Sequence, residues 1–368
     1  MRRNHSAAIF GGVSQVLLIG AGDMGERFAM GLAASGKVRE LVLVDVAGSG
    51  LREKAAALIS SHDVRVRAVE TEPRDQYSFE RLLRDLAPDL VIQVAALQSP
   101  WALIGRDDPV ANALNRAGLA IRLPFQLPCL LAVMRAVRET GYDGPVANIS
   151  LPDITHPILA QHGLTPTIGL GNVSMLLLRS RAAWRARNGD EAAPLLRLVG
   201  HHNHVYGVMQ ATPPADPADG PRVYVGEDGT RADELAYGGP PMQPGLRYNH
   251  VTAAAALPVL LALLPDAAPL RWSTPAPLGL PGGFPVRIAD RRIELDLPPG
   301  LDVDEASEFC RRIAHGDGVD HVDDDGTVHF TEAAKAVMAP VAPDLTEPLP
   351  LSDGEIARRG KRIFELLA

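Results

Sequence analysis

The chain has 368 residues, 46% of them apolar and 22% charged, which excludes wholesale disorder and leaves room for two lobes or one large α/β unit with an elaborated second half. With 36 basic against 44 acidic residues the net charge is −8, which argues against a nucleic-acid partner gripped through its phosphates. Only two cysteines occur, Cys129 and Cys310, so a disulfide framework and a cysteine-rich zinc site are both excluded and a reducing cytoplasm is expected.

Residues 1–14 hold Arg2, Arg3 and a short apolar run that is interrupted too soon for a secretory leader; a flexible tail is expected there. Residues 15–19 predict a buried strand, and 24–35 a helix that opens at a glycine-rich turn. A second buried strand follows at 40–46 (ELVLVDV), then a helix at 51–60, an outer strand at 64–69, a helix at 78–86 and a continuous apolar strand at 89–96. Helices at 109–118 and 124–140 each tolerate proline in the first turn. A strand at 145–150, a helix at 153–162 and a short strand at 166–170 complete the alternation. Buried strands separated by helices of this length imply a parallel sheet covered on both faces.

After Gly171 the alternation weakens. A helix is predicted from 173 to 187, a strand at 195–199 leading to the polar cluster His201-His202-Asn203-His204, and a Pro/Asp-rich loop at 212–221. A hairpin about Glu227-Asp228-Gly229, an Ala/Leu helix after His250, strands at 286–288 and 292–297 and a helix at 353–367 follow. Cys129, among leucines, reads as core. No stretch reaches the roughly 18 apolar residues of a membrane span, so no membrane partner is expected; the nearest, 253–264, contains Pro258. The fold class is therefore α/β: a Rossmann-type parallel-sheet domain over 15–171, then an α/β (α+β) catalytic domain over 172–368.

Gly20-x-Gly22-x-x-Gly25 directly follows the first strand and opens the first helix, and Asp45 ends the second strand 20 residues beyond Gly25. Each part has a physical task in a dinucleotide site. Gly20 permits the tight turn, Gly22 lets backbone approach a pyrophosphate, and Gly25 lets the helix pack close to the sheet. The helix start, with Asp23 and Met24, offers free N–H groups and the positive dipole end to phosphate. Asp45 would accept from the adenosine ribose hydroxyls and repel a 2′-phosphate, and Arg52 stands too far along the next helix to reverse that preference. NAD is the expected cofactor, with Ala95 and Ala96 on the facing strand end.

Residues 20–25, the run Leu41-Val42-Leu43-Val44-Asp45, and Asp89-Leu90-Val91-Ile92 followed by Ala95-Ala96 resemble the lactate/malate dehydrogenase family. Gly169-Leu170-Gly171-Asn172, Gly200-His201-His202-Asn203 (where that family has Gly-Glu-His-Gly) and the glycine-rich turn at 279–286 extend the likeness. The resemblance implies an NAD-dependent homodimer or homotetramer acting on a small molecule, with His202 as proton donor and acceptor. Arg106 would be the loop arginine that polarises the substrate carbonyl, its register off by one. Four positions depart from the pattern. The family's aspartate falls at Ser174, its carboxylate-clamping arginine at Leu177 and its first loop arginine at Gln98. The asparagine of its Asn-Pro pair falls at Leu151, leaving Asn148 as a displaced candidate. Without the clamp, a substrate other than ordinary lactate or malate follows.

Hydride transfer to a carbonyl needs an acid with a pKa near neutrality, which imidazole supplies. On a continuing strand His202 and His204 share one side and His201 and Asn203 the other. His204 or Asn203 would then orient His202; a metal held by His202, His204 and either His156 or Asp153 is the weaker reading, and none is assigned. Asn249 is expected to cap the helix behind Tyr248-Asn249-His250, with His250 a candidate pocket residue. Trp101 would cover the nicotinamide or the substrate on loop closure. The sequence thus reads as an NAD-dependent dehydrogenase. An opine-type imine reductase, with 212–221 in an enlarged site, and a non-catalytic NAD-binding sensor are the rivals.

Overall fold

The computed structural model describes residues 14–189 and 193–368. The expected tail lies outside the described residues except for Ser14, which begins the first strand. In chain order the first unit contains β1 (Ser14–Ile19), α1 (Asp23–Ala34), β2 (Val38–Asp45), α2 (Leu51–Ser61), β3 (Arg65–Glu70), α3 (Gln76–Leu86) and β4 (Leu90–Gln93). It continues with α4 (Pro109–Ala117), α5 (Leu123–Thr140), β5 (Val146–Asn148), α6 (Pro152–Ala160) and β6 (Ile168–Gly169).

The six strands form one parallel sheet in the order β3-β2-β1-β4-β5-β6. The order reverses between β1 and β4, which is the doubly wound arrangement whose ligand crevice lies at the carboxyl ends of the strands. Side chains of β1 alternate between the two faces, Val16 and Leu18 packing into one apolar core and Leu17 and Ile19 into the other. That two-sided burial is why the strand reads as an unbroken apolar run.

The rest of the chain adds α7 (Val173–Asn188), β7 (Leu196–Val199), α8 (His204–Met209), β8 (Arg222–Val225), β9 (Thr230–Arg231) and α9 (Tyr248–Ala262). Then come β10 (Leu270–Pro275), β11 (Gly283–Ala289), β12 (Arg292–Leu295), α10 (Val303–Ala314), β13 (Val319–Val322), β14 (Val328–Phe330), α11 (Glu332–Met338) and α12 (Asp353–Leu367). Two antiparallel three-stranded sheets, β7-β8-β9 and β10-β11-β12, meet through a bridge between Gly200 and Gly283. Residues Ala314 to Leu367 return to the first unit, and Ile356, Ile363 and Leu367 share a core with Phe125 and Leu130 of α5. The stretch Ala120–Thr140 is long and apolar enough to cross a bilayer by length and composition, and 83% of it is buried inside the fold, as befits a core helix.

The strand expected at 195–199 is β7 and stops at Val199, so the continuation to 206 that would have set the histidines on shared faces does not occur. Residues 201–203 turn, and His204 opens α8 instead. His202 and His204 therefore share no strand face.

Candidate active site

The carboxyl ends of β1, β2, β4, β5 and β6 converge on a cleft of about 860 Å³, lined from Asp45 across to His202 and Asp317. Its first wall is the glycine turn. Gly20 sits at φ +96°, and a Cβ there would lie 2.5 Å from the Ala95 amide nitrogen. A Cβ on Gly25 would lie 1.9 Å from the Gly20 carbonyl oxygen, so α1 approaches the turn only because that position is glycine. Gly22 differs: its Cβ would meet no protein atom within 4 Å, and it faces the cleft. The space a side chain would fill is left to a ligand. Gly22 is also the N-cap of α1 and makes no side-chain capping bond, so the first-turn N–H groups remain for an anion.

Asp45 lines the same cleft. Its Oδ2 accepts from the Ala21 N–H at 2.8 Å and its Oδ1 from the Val46 N–H at 2.7 Å, which fixes the carboxylate beside the glycine turn. Lone pairs remain for a diol. Asp23 and Met24 line the cleft as expected, as do Ala95 and Ala96. The Asp23 carboxylate is held below its ordinary pKa chiefly by Arg27, and it also accepts from Asn249 Nδ2 at 2.7 Å. Asn249 Oδ1 in turn accepts from Trp101 Nε1 at 3.0 Å, and Trp101 packs edge-on against Tyr248. Asn249 thus lies inside the first turn of α9, whose N-cap position is Arg247, and ties three segments together; it is not the helix cap.

At the other side, His202 Nδ1 lies 2.9 Å from Asp317 Oδ2 and 3.1 Å from Oδ1. Asp317 is only 4% exposed, and His202 keeps 29% of its side chain accessible. Nδ1–H donates to the carboxylate, leaving Nε2 as the nitrogen available to the cleft. Burial opposes the charge on His202, but Asp317 outweighs it and raises the imidazole pKa. Burial likewise opposes the charge on Asp317, and the adjacent His202 holds its pKa below the ordinary value. The His202 backbone N–H donates to Asp153 Oδ2 at 2.7 Å, which also accepts from Asn172 Nδ2 at 3.0 Å. Asp153 is buried, its Oδ1 has no partner, and burial pushes its pKa to about 7.

Arg122 is the cleft residue the sequence reading missed. It is 4% exposed, and its guanidinium donates to the Ser99 and Pro100 carbonyls at 3.1 and 3.2 Å and to Gln98 Oε1 at 3.4 Å, with no carboxylate partner among the described residues. Burial pulls its pKa to about 10, so it stays charged at neutral pH. Its one sequence signal is that it is the only charge between Gly118 and Arg135.

Other expected residues are placed elsewhere. Arg106 lies outside the cleft lining and is bound to Asp108 and the Leu367 carbonyl, both at 2.8 Å, so its guanidinium is committed to closing its own loop. Asn148 is fully buried beneath the cleft floor, where it bonds Ser150 and His156. Gln98 braces Arg122, and His250 is exposed against Arg27. His204 is buried, accepting from the His201 N–H through Nδ1 and bonding the Asp219 carbonyl through Nε2. Burial drives His201, His204 and His156 down to about 3, 4 and 4, so these imidazoles are neutral. His156 bonds Ala276 and Asn148, and it does not converge with His202 and His204 on one metal position. His201 does not face away from His202's partner: its Nδ1 lies 3.4 Å from Asp317. The departures at 174 and 177 are core positions, since Ser174 donates to the Ser273 carbonyl and Leu177 is 1% exposed.

No protein-family model matches the chain, and no curated protein matches it. Among solved structures it is similar to a lactate dehydrogenase from a Medee basin deep-sea metagenome library, at 13% identity over 83% of this chain and 98% of that one, with a TM-score of 0.48. A Cryptosporidium parvum lactate dehydrogenase complexed with lactic acid and NAD shows 16% identity, coverage of 83% and 97%, and a TM-score of 0.49. The apo malate dehydrogenase of Picrophilus torridus shows 14% identity, coverage of 83% and 96%, and a TM-score of 0.48.

Proposed function

We propose that this protein is an NAD-dependent dehydrogenase, a divergent relative of the lactate and malate enzymes, that moves hydride between nicotinamide and a C–OH/C=O substrate other than ordinary lactate or malate. The observation that carries this reading is one cleft containing both a glycine turn with an open Gly22 position and a histidine paired with a buried carboxylate. The glycine turn, the α1 N-terminus and Asp45 are the groups that would hold NAD, and NAD when bound supplies the hydride donor and acceptor.

The chain's own residues do the rest. His202 Nε2 holds the proton that passes to or from the substrate oxygen, and Asp317 fixes the tautomer and stabilises the imidazolium. Arg122 puts a desolvated positive charge on the same cleft, suited to an oxyanion or another polarised oxygen. Trp101, held by Asn249, lines the same cleft and would cover a bound nicotinamide or substrate on loop closure. Leu177 offers no second guanidinium, which is why a 2-hydroxy acid held bidentately is not the favoured substrate.

A second cavity of about 480 Å³ favours the imine-reducing alternative. It shares Asn203 and Gly316 with the main cleft and includes Thr212 and Pro214 of the Pro-rich loop, which gives space for a second substrate portion. Two buried, unpaired thiols support a reducing cytoplasmic location, and a homodimer or homotetramer belongs to the same proposal.

The test is calorimetry followed by kinetics. NADH should bind at least about tenfold more tightly than NADPH, a gap of about 1.4 kcal/mol. His202→Gln should keep NADH affinity while turnover in a carbonyl and imine screen falls by roughly 10²–10⁴. Full activity in that variant, or equal binding of the two cofactors, would overturn the reading.

A further inference from the structure

Away from the cleft, β13 and β14 form a hairpin that places His321 directly opposite His329. Their rings stack at 4.2 Å between centroids with planes 9° apart. Asp323, in the connecting turn, brings one oxygen to 3.4 Å from His321 Nε2 and the other to 2.8 Å from His329 Nε2. The ligating atoms of the three residues all lie within 4.8 Å of one another.

We propose that His321, His329 and Asp323 form a binding site for a borderline transition-metal dication of the zinc class. Tetrahedral bonds of about 2.0–2.1 Å put ligand atoms a little over 3 Å apart, close to the separations already present. The donor set of two imidazoles and one carboxylate suits zinc and leaves one position for water.

A second feature belongs to metal sites and is not required of an ordinary surface ion pair. Asp320 Oδ2 lies 2.8 Å from His321 Nδ1, so Nδ1 carries the proton and Nε2 presents its lone pair toward Asp323 and His329. Ligating histidines are held in this way by a carboxylate on the other ring nitrogen. The turn is itself closed by backbone bonds, Asp323 N–H to the Thr327 carbonyl and Gly326 N–H to the Asp323 carbonyl, both at 2.9 Å. The hairpin therefore holds the three side chains together before any ion arrives, and a rotation of the stacked imidazoles about their side-chain torsions would turn both Nε2 lone pairs onto one ion. An ion bound there fastens β13 to β14, and β13 begins two residues after Asp317.

The probe is zinc chloride added to the untagged, chelator-treated full chain, with cobalt(II) as a spectroscopic substitute. Calorimetry should find one ion per chain with a Kd of about 10 μM or tighter, and the ion should raise the melting temperature. His321→Gln and His329→Gln should each weaken binding at least about tenfold, Asp320→Asn by roughly 10–100-fold, while His202→Gln leaves it unchanged. In the wild type, zinc should shield His321 and His329 from acylation by diethyl pyrocarbonate, a readout that needs no variant to fold. Absence of binding, binding that survives both histidine substitutions, or binding lost in His202→Gln would overturn the site.

Discussion

Asp317→Asn isolates what the buried carboxylate does for His202. The substitution preserves shape and leaves an oxygen able to accept from Nδ1, yet it removes the charge 2.9 Å from the imidazole. A hydrogen bond to a charged group contributes about 1.5–3 kcal/mol, and each pKa unit corresponds to 1.36 kcal/mol, so the His202 pKa should fall by about one to two units. The sign follows from the two opposing influences: burial depresses the imidazolium, and only Asp317 and its neighbours overcome it. With the carboxylate gone, burial prevails and the pKa drops below the ordinary histidine value.

NMR titration of the histidine side chains measures this without a known substrate, with His202→Gln identifying the resonance. His202 should titrate above 6.5 in the wild type and below it in the Asp317→Asn variant. The ratio of protonated to neutral imidazole at a given pH then falls by about one to two orders of magnitude, and the acid limb of any activity profile moves with it. An unchanged His202 titration in the variant, within about 0.3 units, would refute the pairing as the source of the raised pKa.

Two further outcomes rest on other parts of the structure. Gly22→Ala should fold with a wild-type melting temperature and bind NADH weakly, because its Cβ meets no protein atom, whereas Gly25→Ala should lower the melting temperature, because its Cβ would lie 1.9 Å from the Gly20 carbonyl; calorimetry and thermal unfolding separate the two, and equal behaviour would sink the argument. Acid should destabilise the fold steeply, since His156, His201 and His204, with pKa values near 4, 3 and 4, keep their full stabilising contribution above about 6.5 and lose it as pH falls through that range. Asp153, raised to about 7, acts in the opposite sense, leaving these four groups a net uptake of between about one and two protons on unfolding and a loss of roughly 2 kcal/mol per pH unit between pH 6 and 4.5; urea titrations showing a flat stability over that interval would contradict it.

The parallel sheet was legible because burial on both faces turns β1, β2 and β4 into largely apolar runs separated by helices. The glycine turn was legible for a related reason: its chemistry is local, confined to six residues and the strand and helix that flank them. The His202–Asp317 pair was not. Asp317 lies 115 residues beyond His202, and nothing in the acidic stretch around it sets one carboxylate apart. Arg106 was chosen and Arg122 passed over because spacing along a loop cannot tell which guanidinium is spent on a nearby carboxylate and which lines the cleft. Whether the histidine cluster continued the strand stayed open in the sequence, because four polar residues after an apolar strand fit a continuation as well as a turn; the Gly200–Gly283 bridge ends the ladder and the chain turns.

The return of the C-terminal segment onto the first unit has a consequence for a chain made from one end. The sheet, the glycine turn and Asp45 are complete once β6 has left the ribosome, and His202 follows soon after. Its partner is still unmade. In a chain ending before residue 317 the glycine turn and Asp45 would be present while His202 lacked the carboxylate that raises its pKa. The carboxylate partner of His202 arrives last, with the same segment that seals Ile356, Ile363 and Leu367 against α5. Only a chain that has finished folding carries the complete pair.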